Sequence, residues 1–257
     1  MTLRLTLRTE PAARVLAAPL IPERLRGLNA AAVAGLELRC GGERVAVGDL
    51  FQVSGGGTEE EALVLSGDLR RLDGIGAHMS RGAIEVQGDV GAWAGAEMSG
   101  GVLRILGNAG ARLGAAYPGA RAGMTGGEVV VTGDAGEEAG AGMRRGLVAV
   151  GGRAGNGAGL RMLAGTVIAL GGIGREAGLG NRRGSLVSGR SVEPLPSYAF
   201  AARFQPPALM LQLLRVRELG LTVRDGLLSG RWARWSGDRT VLSRGEILIF
   251  DEDNDGR

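Results

Sequence analysis

The sequence predicts an all-β protein, a right-handed parallel β-helix of about six coils with short α/β caps at both ends. Three observations lead to this prediction. Glycine supplies 48 of the 257 residues, more than twice its usual share. A Gly-x-x-Gly-x-x-x-Gly pattern returns with a 19-residue period through the middle of the chain. Each copy also contains a short aliphatic run between glycines, which is typical of a strand bounded by turns.

The repeated glycines define the register of the prediction. Five copies of the pattern align, and one of them carries an insertion, residues 115–121, that contains Pro118. Stacked corners need positive φ and leave no room for Cβ atoms, so we interpret these glycines as structural. A nucleotide-binding loop is the alternative, but it would require one glycine-rich loop rather than five in register. The glycines are Gly88, Gly91, Gly95, Gly107, Gly110, Gly114, Gly133, Gly136, Gly140, Gly152, Gly155, Gly159, Gly171, Gly174 and Gly178.

The pattern divides the chain into three predicted segments. Residues 1–61 form an N-terminal α/β cap, with a helix beginning near Pro22 and strands at 36–40 and 44–47. Residues 62–184 hold the repeats, each with one predicted strand. Residues 185–257 form a C-terminal cap with a helix of about twelve residues after Pro207, strands within 232–250 and the acidic tail 251–255. The repeat strands are expected at 63–65, 84–86, 102–106, 129–131, 147–150 and 167–170.

The composition excludes several kinds of chemistry. All 30 basic residues are arginine, so a Schiff-base lysine and a Walker-type lysine are excluded. One histidine, His78, and one cysteine, Cys40, exclude a zinc site built from several such ligands. The net charge of +3 is too small to indicate nucleic-acid binding, and no apolar run is long enough for a membrane span. The lone cysteine is typical of a reducing compartment, so a cytoplasmic protein is expected.

Two sets of polar residues are candidate functional groups. His78 would be the base of an acyltransferase, but it shares a variable repeat position with Glu97, Gly123, Gly142, Arg161 and Gly180, and solvent or a partner is expected there. A second repeat position is mainly acidic or amide, and its residues could either stabilise tight turns or stack as a calcium-binding column. We favour the turn role. These residues are Asp68, Asp89, Asn108, Asp134, Arg153 and Gly172.

The repeats and their flanks resemble the C subunit of formylmethanofuran dehydrogenase. Gly48-Asp49-Leu50-Phe51, before the first repeat, is similar to a family segment. Arg234-Trp235-Ser236-Gly237-Asp238-Arg239 and the following Gly245-Glu246-Ile247-Leu248 resemble the family's closing segment. A similar repeat occurs in the carboxy-terminal domain of the large glutamate synthase subunit, whose other parts are absent here.

The resemblance implies a non-catalytic subunit of a large complex in one-carbon metabolism. Its expected partners are amidohydrolase-like, formyltransferase and B-subunit-like chains, with no nucleic acid and no membrane. This chain is expected to bind no cofactor or metal, while the complex uses a methanofuran-type cofactor and tetrahydromethanopterin. The arginine-, alanine- and glycine-rich composition favours the formyltransferase/hydrolase complex of methylotrophic bacteria. The C subunit of a molybdenum or tungsten formylmethanofuran dehydrogenase and a free-standing glutamate-synthase-type domain remain alternatives.

Each repeat ends with a further closing glycine, and in three repeats basic residues directly precede it, at Gly82, Gly146 and Gly184. We call these basic residues the arginine row. They could be solvated charges that prevent aggregation, a surface for a protein partner, or a site for the polyglutamate chain that the family's cofactors carry. A partner surface is the favoured function. The arginine row consists of Arg81, Arg144, Arg145, Arg182 and Arg183.

Overall fold

The computed structural model of the protein describes residues 2–56 and 61–251. In these ranges no helix combines the length and apolarity needed to cross a membrane. The N-terminal elements are β1 (Leu3–Leu7), β2 (Val15–Leu16), α1 (Pro22–Leu25), α2 (Ala30–Ala34), β3 (Glu37–Cys40), β4 (Glu43–Ala46), α3 (Val47–Leu50) and β5 (Phe51–Ser54). The predicted helix at Pro22 and the two predicted strands of this segment are therefore confirmed.

The strands of the repeat segment are β6 (Ala62–Ser66), β7 (Leu72–Asp73), β8 (Ala83–Gln87), β9 (Ser99–Ile105), β10 (Thr125–Val131), β11 (Arg145–Val150), β12 (Thr166–Ala169) and β13 (Ser185–Ser188). The six predicted repeat strands are confirmed as β6 and β8 to β12, while β7 and β13 were not predicted. Glycines lie at or near the ends of most of these strands, and β9 and β10 also include a glycine pair after their first residue.

The C-terminal segment returns to the same sheet after a helix. Its elements are β14 (Ala199–Phe204), α4 (Pro207–Glu218), α5 (Asp225–Ser229), β15 (Trp232–Gly237) and β16 (Gly245–Phe250). Helix α4 has the predicted twelve residues and begins with a proline at its first position, where a missing N–H costs nothing. The predicted acidic tail lies outside the described residues except for Asp251, which pairs with Arg203 at 2.9 Å.

Twelve strands form one mixed sheet in the order β14-β15-β16-β13-β12-β11-β10-β9-β8-β6-β1-β5. From β1 to β16 all neighbours pair parallel, whereas β5, β14 and β15 pair antiparallel. The repeat period sets the register, since Ile84 lies opposite Leu103 and Val148 opposite Val167. A second sheet has the order β4-β3-β2-β7.

The predicted right-handed parallel β-helix with end caps is wrong. The main strands join a single open sheet that ends at β5 and β14. Most of the rest of each repeat is turn, tied to its neighbours by single bridges such as Val90 to Ala109. Glycines only three or four residues apart reverse the chain too often for a further continuous ladder to form. The flanks also add strands to this sheet, at both of its ends.

Two hydrophobic clusters pack against opposite faces of this sheet. Successive strand residues point to opposite faces, so Val129 and Val131 belong to one cluster and Val130 to the other. The first cluster includes a column of methionines from successive repeats. The second is covered by α4, whose Leu209, Leu213 and Val216 lie on one helical face. The methionines are Met79, Met98, Met124, Met143 and Met162.

Candidate partner-binding site

The predicted structural glycines occupy two kinds of position. At the first and second glycine of each repeat, a Cβ atom would lie less than 3.0 Å from atoms of the preceding repeat. The third glycines, Gly95, Gly114, Gly140, Gly159 and Gly178, have positive φ between 64° and 71°. The glycine positions therefore stack the repeats closely and turn them, which leaves the longer side chains at the corners to form the outer surface.

The column of acidic and amide residues links one repeat to the next. The backbone N–H of Asn108 donates to Asp89 Oδ1 at 2.7 Å, that of Asp134 to Asn108 Oδ1 at 2.8 Å, and that of Arg153 to Asp134 Oδ1 at 2.7 Å. These side-chain oxygens thus accept backbone hydrogen bonds. In the described part of the chain, no group of three or more His, Cys, Asp or Glu is arranged to hold a metal ion.

His78 lies beside the carboxylate of Glu97, a contact that the sequence analysis did not predict. Its Nδ1 is 3.6 Å from Glu97 Oε2, and its ring centroid is 5.6 Å from that of Tyr117. The 19-residue spacing of His78 and Glu97 was the available signal, because it puts them in adjacent repeats. Across residues 2–56 and 61–251 the imidazole makes no hydrogen bond to a hydroxyl or thiol that it could activate as a base.

The insertion 115–121 is fastened to the repeats through Tyr117. Its ring stacks on Trp93 at 4.8 Å, and its backbone N–H donates to Glu97 Oε1 at 3.0 Å. The Arg112 guanidinium lies 4.7 Å from the centre of the Trp93 ring. Burial raises the pKa of Tyr117, with the charges of Glu97 and Asp73 adding to the effect. An aromatic contact thus helps to hold the insertion, together with backbone hydrogen bonds such as that from the Ala116 N–H to Ala141 at 2.9 Å.

Tyr117→Ala should loosen the insertion, whereas Tyr117→Phe should not. A stacked aromatic pair contributes about 0.5–1.5 kcal/mol, so its loss should raise local opening and tryptic cleavage after Arg121 by roughly 2–10-fold. The rate of appearance of the fragment ending at Arg121, followed by mass spectrometry, measures this. Equal cleavage rates for both variants and the wild type would show that the stack does not hold the insertion.

A cleft of about 550 Å³ lies between the insertion and the later repeats. We call it the arginine cleft, after Arg121, Arg161 and Arg182, which line it together with Leu160, Leu163 and Val241. Its described lining contains no carboxylate. Sequence reasoning missed Arg161 because its repeat position is variable, and missed Arg121 because it lies in the insertion.

The loop after β15 contributes Val241 to the cleft and is anchored by a buried carboxylate. Asp238 Oδ1 accepts hydrogen bonds from the Thr240 N–H at 2.9 Å and hydroxyl at 2.8 Å, and its Oδ2 accepts from the Gly180 N–H at 3.0 Å. Burial by itself would raise the pKa of Asp238, but these hydrogen bonds outweigh it and hold the pKa below its usual range. Asp238 therefore fixes the segment that carries Val241 against the last repeat.

The arginine row is only partly brought together. Arg81 pairs with Glu61 at 2.8 Å. Arg144 and Arg182 occupy equivalent positions, because their N–H groups donate to Met124 and Met162, and Arg145 and Arg183 follow them. These four are exposed and form no ion pair or side-chain hydrogen bond within the described residues.

Comparisons with known proteins identify the family. No family model matches the chain. It is 37% identical over 87 residues to the Fhc C subunit of the formyltransferase/hydrolase complex of Methylorubrum extorquens, and the matched residues are 34% of this chain and 32% of that relative. It also superposes with a TM-score of 0.82 and 31% identity on the crystal structure of the formyltransferase/hydrolase complex (FhcABCD) from Methylorubrum extorquens in complex with methylofuran. That match covers 96% of this chain and 98% of the other. This chain belongs to the family of C subunits of the formyltransferase/hydrolase complex.

Membership of this family confirms the resemblance drawn from the repeats and the closing segment. It also agrees with the preference for the formyltransferase/hydrolase version that the composition suggested. Since the sequence match spans only about a third of the curated relative, the activity and partners of this chain are proposals.

Proposed function

We propose that this chain is the non-catalytic C subunit of a formyltransferase/hydrolase complex, in which it holds the subunits that transfer and hydrolyse the formyl group. The observation that supports this proposal most strongly is the structural match, which covers 96% of the chain and therefore includes both flanks as well as the repeats. The proposed partners are a formyltransferase, an amidohydrolase-like chain and a B-subunit-like chain.

The cofactor context follows from the same relative. The crystal structure of the Methylorubrum extorquens complex contains methylofuran, so we propose a methanofuran-type cofactor, with tetrahydromethanopterin as formyl donor, for the complex of this chain. This chain itself is proposed to bind neither. The proposal includes a cytoplasmic location, which a lone cysteine at a half-buried position suits.

A non-catalytic role is supported by the surroundings of the only histidine. Acyl transfer requires a base that orients and activates a nucleophile. His78 instead contacts a carboxylate, that of Glu97, and the ring of Tyr117. His78→Ala should therefore leave formyl hydrolysis by the assembled complex within about twofold of wild type. A loss of more than tenfold in kcat, with assembly intact, would assign chemistry to this chain.

Affinity purification of the tagged full-length chain from its own cells tests the proposal. We expect the other subunits in fixed stoichiometry by native mass spectrometry, together with formyl-hydrolysing activity that the isolated chain lacks. Recovery of the chain alone, or with glutamate synthase subunits, would contradict it.

Arg144→Glu combined with Arg145→Glu should release the chain from this complex. Neither arginine has an intrachain ion pair in the described residues, so the melting temperature of the free chain should change by less than about 2 °C. Planar guanidinium groups pair well with carboxylates of a neighbour, and reversed charges would repel them. Arg8→Glu with Arg39→Glu, a matched reversal at two exposed arginines of the N-terminal segment, serves as control. Wild-type stoichiometry in the first variant would remove these arginines from the interface.

A further inference from the structure

The arginine cleft holds positive charge that the chain does not neutralise. Arg121, Arg161 and Arg182 are exposed, and none forms an ion pair or side-chain hydrogen bond within residues 2–56 and 61–251. Other surface arginines do pair, as Arg215 with Glu128 and Arg234 with Glu246, both at 2.8 Å. Guanidinium groups that share a concave site without a carboxylate favour an anionic occupant.

The walls of the cleft restrict what that occupant is. Leu160, Leu163 and Val241 line it, and Leu179 and Leu242, adjacent in sequence to cleft residues, are 41% and 51% exposed. A small free anion gains little from aliphatic walls, and about 550 Å³ is far more than it fills. Arginine combined with apolar side chains is instead typical of the centre of a protein–protein interface.

The positions of two of these arginines allow an extended chain as the occupant. Arg161 and Arg182 come from adjacent repeats, since the Arg161 N–H donates to Leu179 and the Arg182 N–H to Met162. Gly180 is the residue that stacks on Arg161, so Arg182 is offset from Arg161 by one repeat and by two residues along the chain. Long flexible arginine side chains at such positions can reach carboxylates on alternate residues of an extended peptide, which are about 6.6 Å apart.

We propose that the arginine cleft binds an extended acidic segment of a neighbouring subunit, with at least two carboxylates against the arginines and an aliphatic side chain against the leucines. This inference rests on the proposed function, because the segment belongs to another chain of the complex. It assigns the insertion a role, which is to form one side of the site and contribute Arg121.

Site-specific photo-crosslinking in the purified, co-expressed complex tests the proposal. A benzophenone amino acid replaces Val241 at the cleft, or Leu16, an exposed residue of β2, as control. We expect the Val241 position to crosslink to a partner peptide that contains two or more Asp or Glu residues. Crosslinks to a neutral or basic segment, to a second copy of this chain, or to no other member of an assembled complex would overturn the proposal. In these three outcomes the proposed function would stand, whereas failure to assemble any complex would overturn both.

Charge removal supplies the second arm of the experiment. Arg121→Gln, Arg161→Gln and Arg182→Gln together should weaken association with the partner by about tenfold or more, in titrations followed by mass photometry, because three charge-assisted contacts are lost. The triple change Arg8→Gln, Arg24→Gln and Arg39→Gln, at exposed N-terminal arginines, removes the same charge and should change affinity by less than about twofold. Equal effects of the two triple variants would assign the binding to net charge and overturn the cleft site.

Discussion

Gly136→Ala is expected to lower the free energy of unfolding by about 2–4 kcal/mol, although it adds a single methyl group. The added Cβ would lie 2.7 Å from the backbone N of Ala111 and 2.9 Å from its Cα. The Gly136 N–H donates to Ala109 at 3.0 Å, so the repeats cannot separate to admit the methyl group without lengthening hydrogen bonds between them. The backbone φ at Gly136 is not positive, so steric contact rather than backbone strain causes the expected loss of stability.

Two other glycines separate contact from conformation. Gly119 has a φ of +85° with no atom within 4 Å of an added Cβ, so Gly119→Ala should lose only about 1–2 kcal/mol from backbone strain. Gly42 has neither constraint, and Gly42→Ala should remain within about 0.5 kcal/mol of wild type. Urea unfolding followed by circular dichroism ranks the three variants. Equal losses for Gly136→Ala and Gly42→Ala would contradict the close stacking of the repeats.

Asp238→Asn is expected to destabilise the chain by about 2–3 kcal/mol at pH 7, because an amide cannot accept all the hydrogen bonds that the carboxylate accepts in a solvent-inaccessible site. One amide N–H would face either Thr240 or Gly180, which both donate. Asp225→Asn, at a carboxylate whose side chain is 91% exposed, should change stability little.

The contribution of Asp238 should also depend on pH. Its folded pKa is depressed below the ordinary value of 3.8, so its stabilisation is present above that value and is lost as pH falls through the folded pKa. The difference in unfolding free energy between wild type and Asp238→Asn should therefore be constant from pH 7 to about 5 and shrink below about pH 4. A difference that grows on acidification would contradict the pKa direction.

The 19-residue repeat spacing predicted which strand residues lie side by side better than it predicted the overall architecture. The 19-residue period placed Ile84 opposite Leu103, because glycine turns make the length of each repeat a local property. The joining of β1 and β16 to the large sheet depends on pairings between distant segments. No periodic pattern encodes such pairings, so the flanks were predicted as caps and the sheet as part of a coil.

Some residues of the candidate site could likewise be predicted from the repeat spacing, and others could not. Arg144 and Arg182 were predicted as one row because they recur at one repeat position. Arg121 joins the cleft because contacts such as that of Tyr117 with Trp93 hold the insertion on the repeats, and Val241 joins it in a loop that Asp238 anchors. The contacts of Tyr117 with Trp93 and of Asp238 with the Gly180 N–H join segments that are far apart in sequence, and they have no signature in the periodicity.

Reconstitution from purified subunits tests most directly the central claim that this chain assembles the complex and performs no chemistry. The other subunits, mixed without this chain, should show little coupled formyl transfer and hydrolysis, and adding the chain in equal molar amount should restore both assembly and coupled turnover. The chain alone should show no turnover above background. Coupled turnover that is independent of the chain, or formyl hydrolysis by the chain alone, would contradict the account.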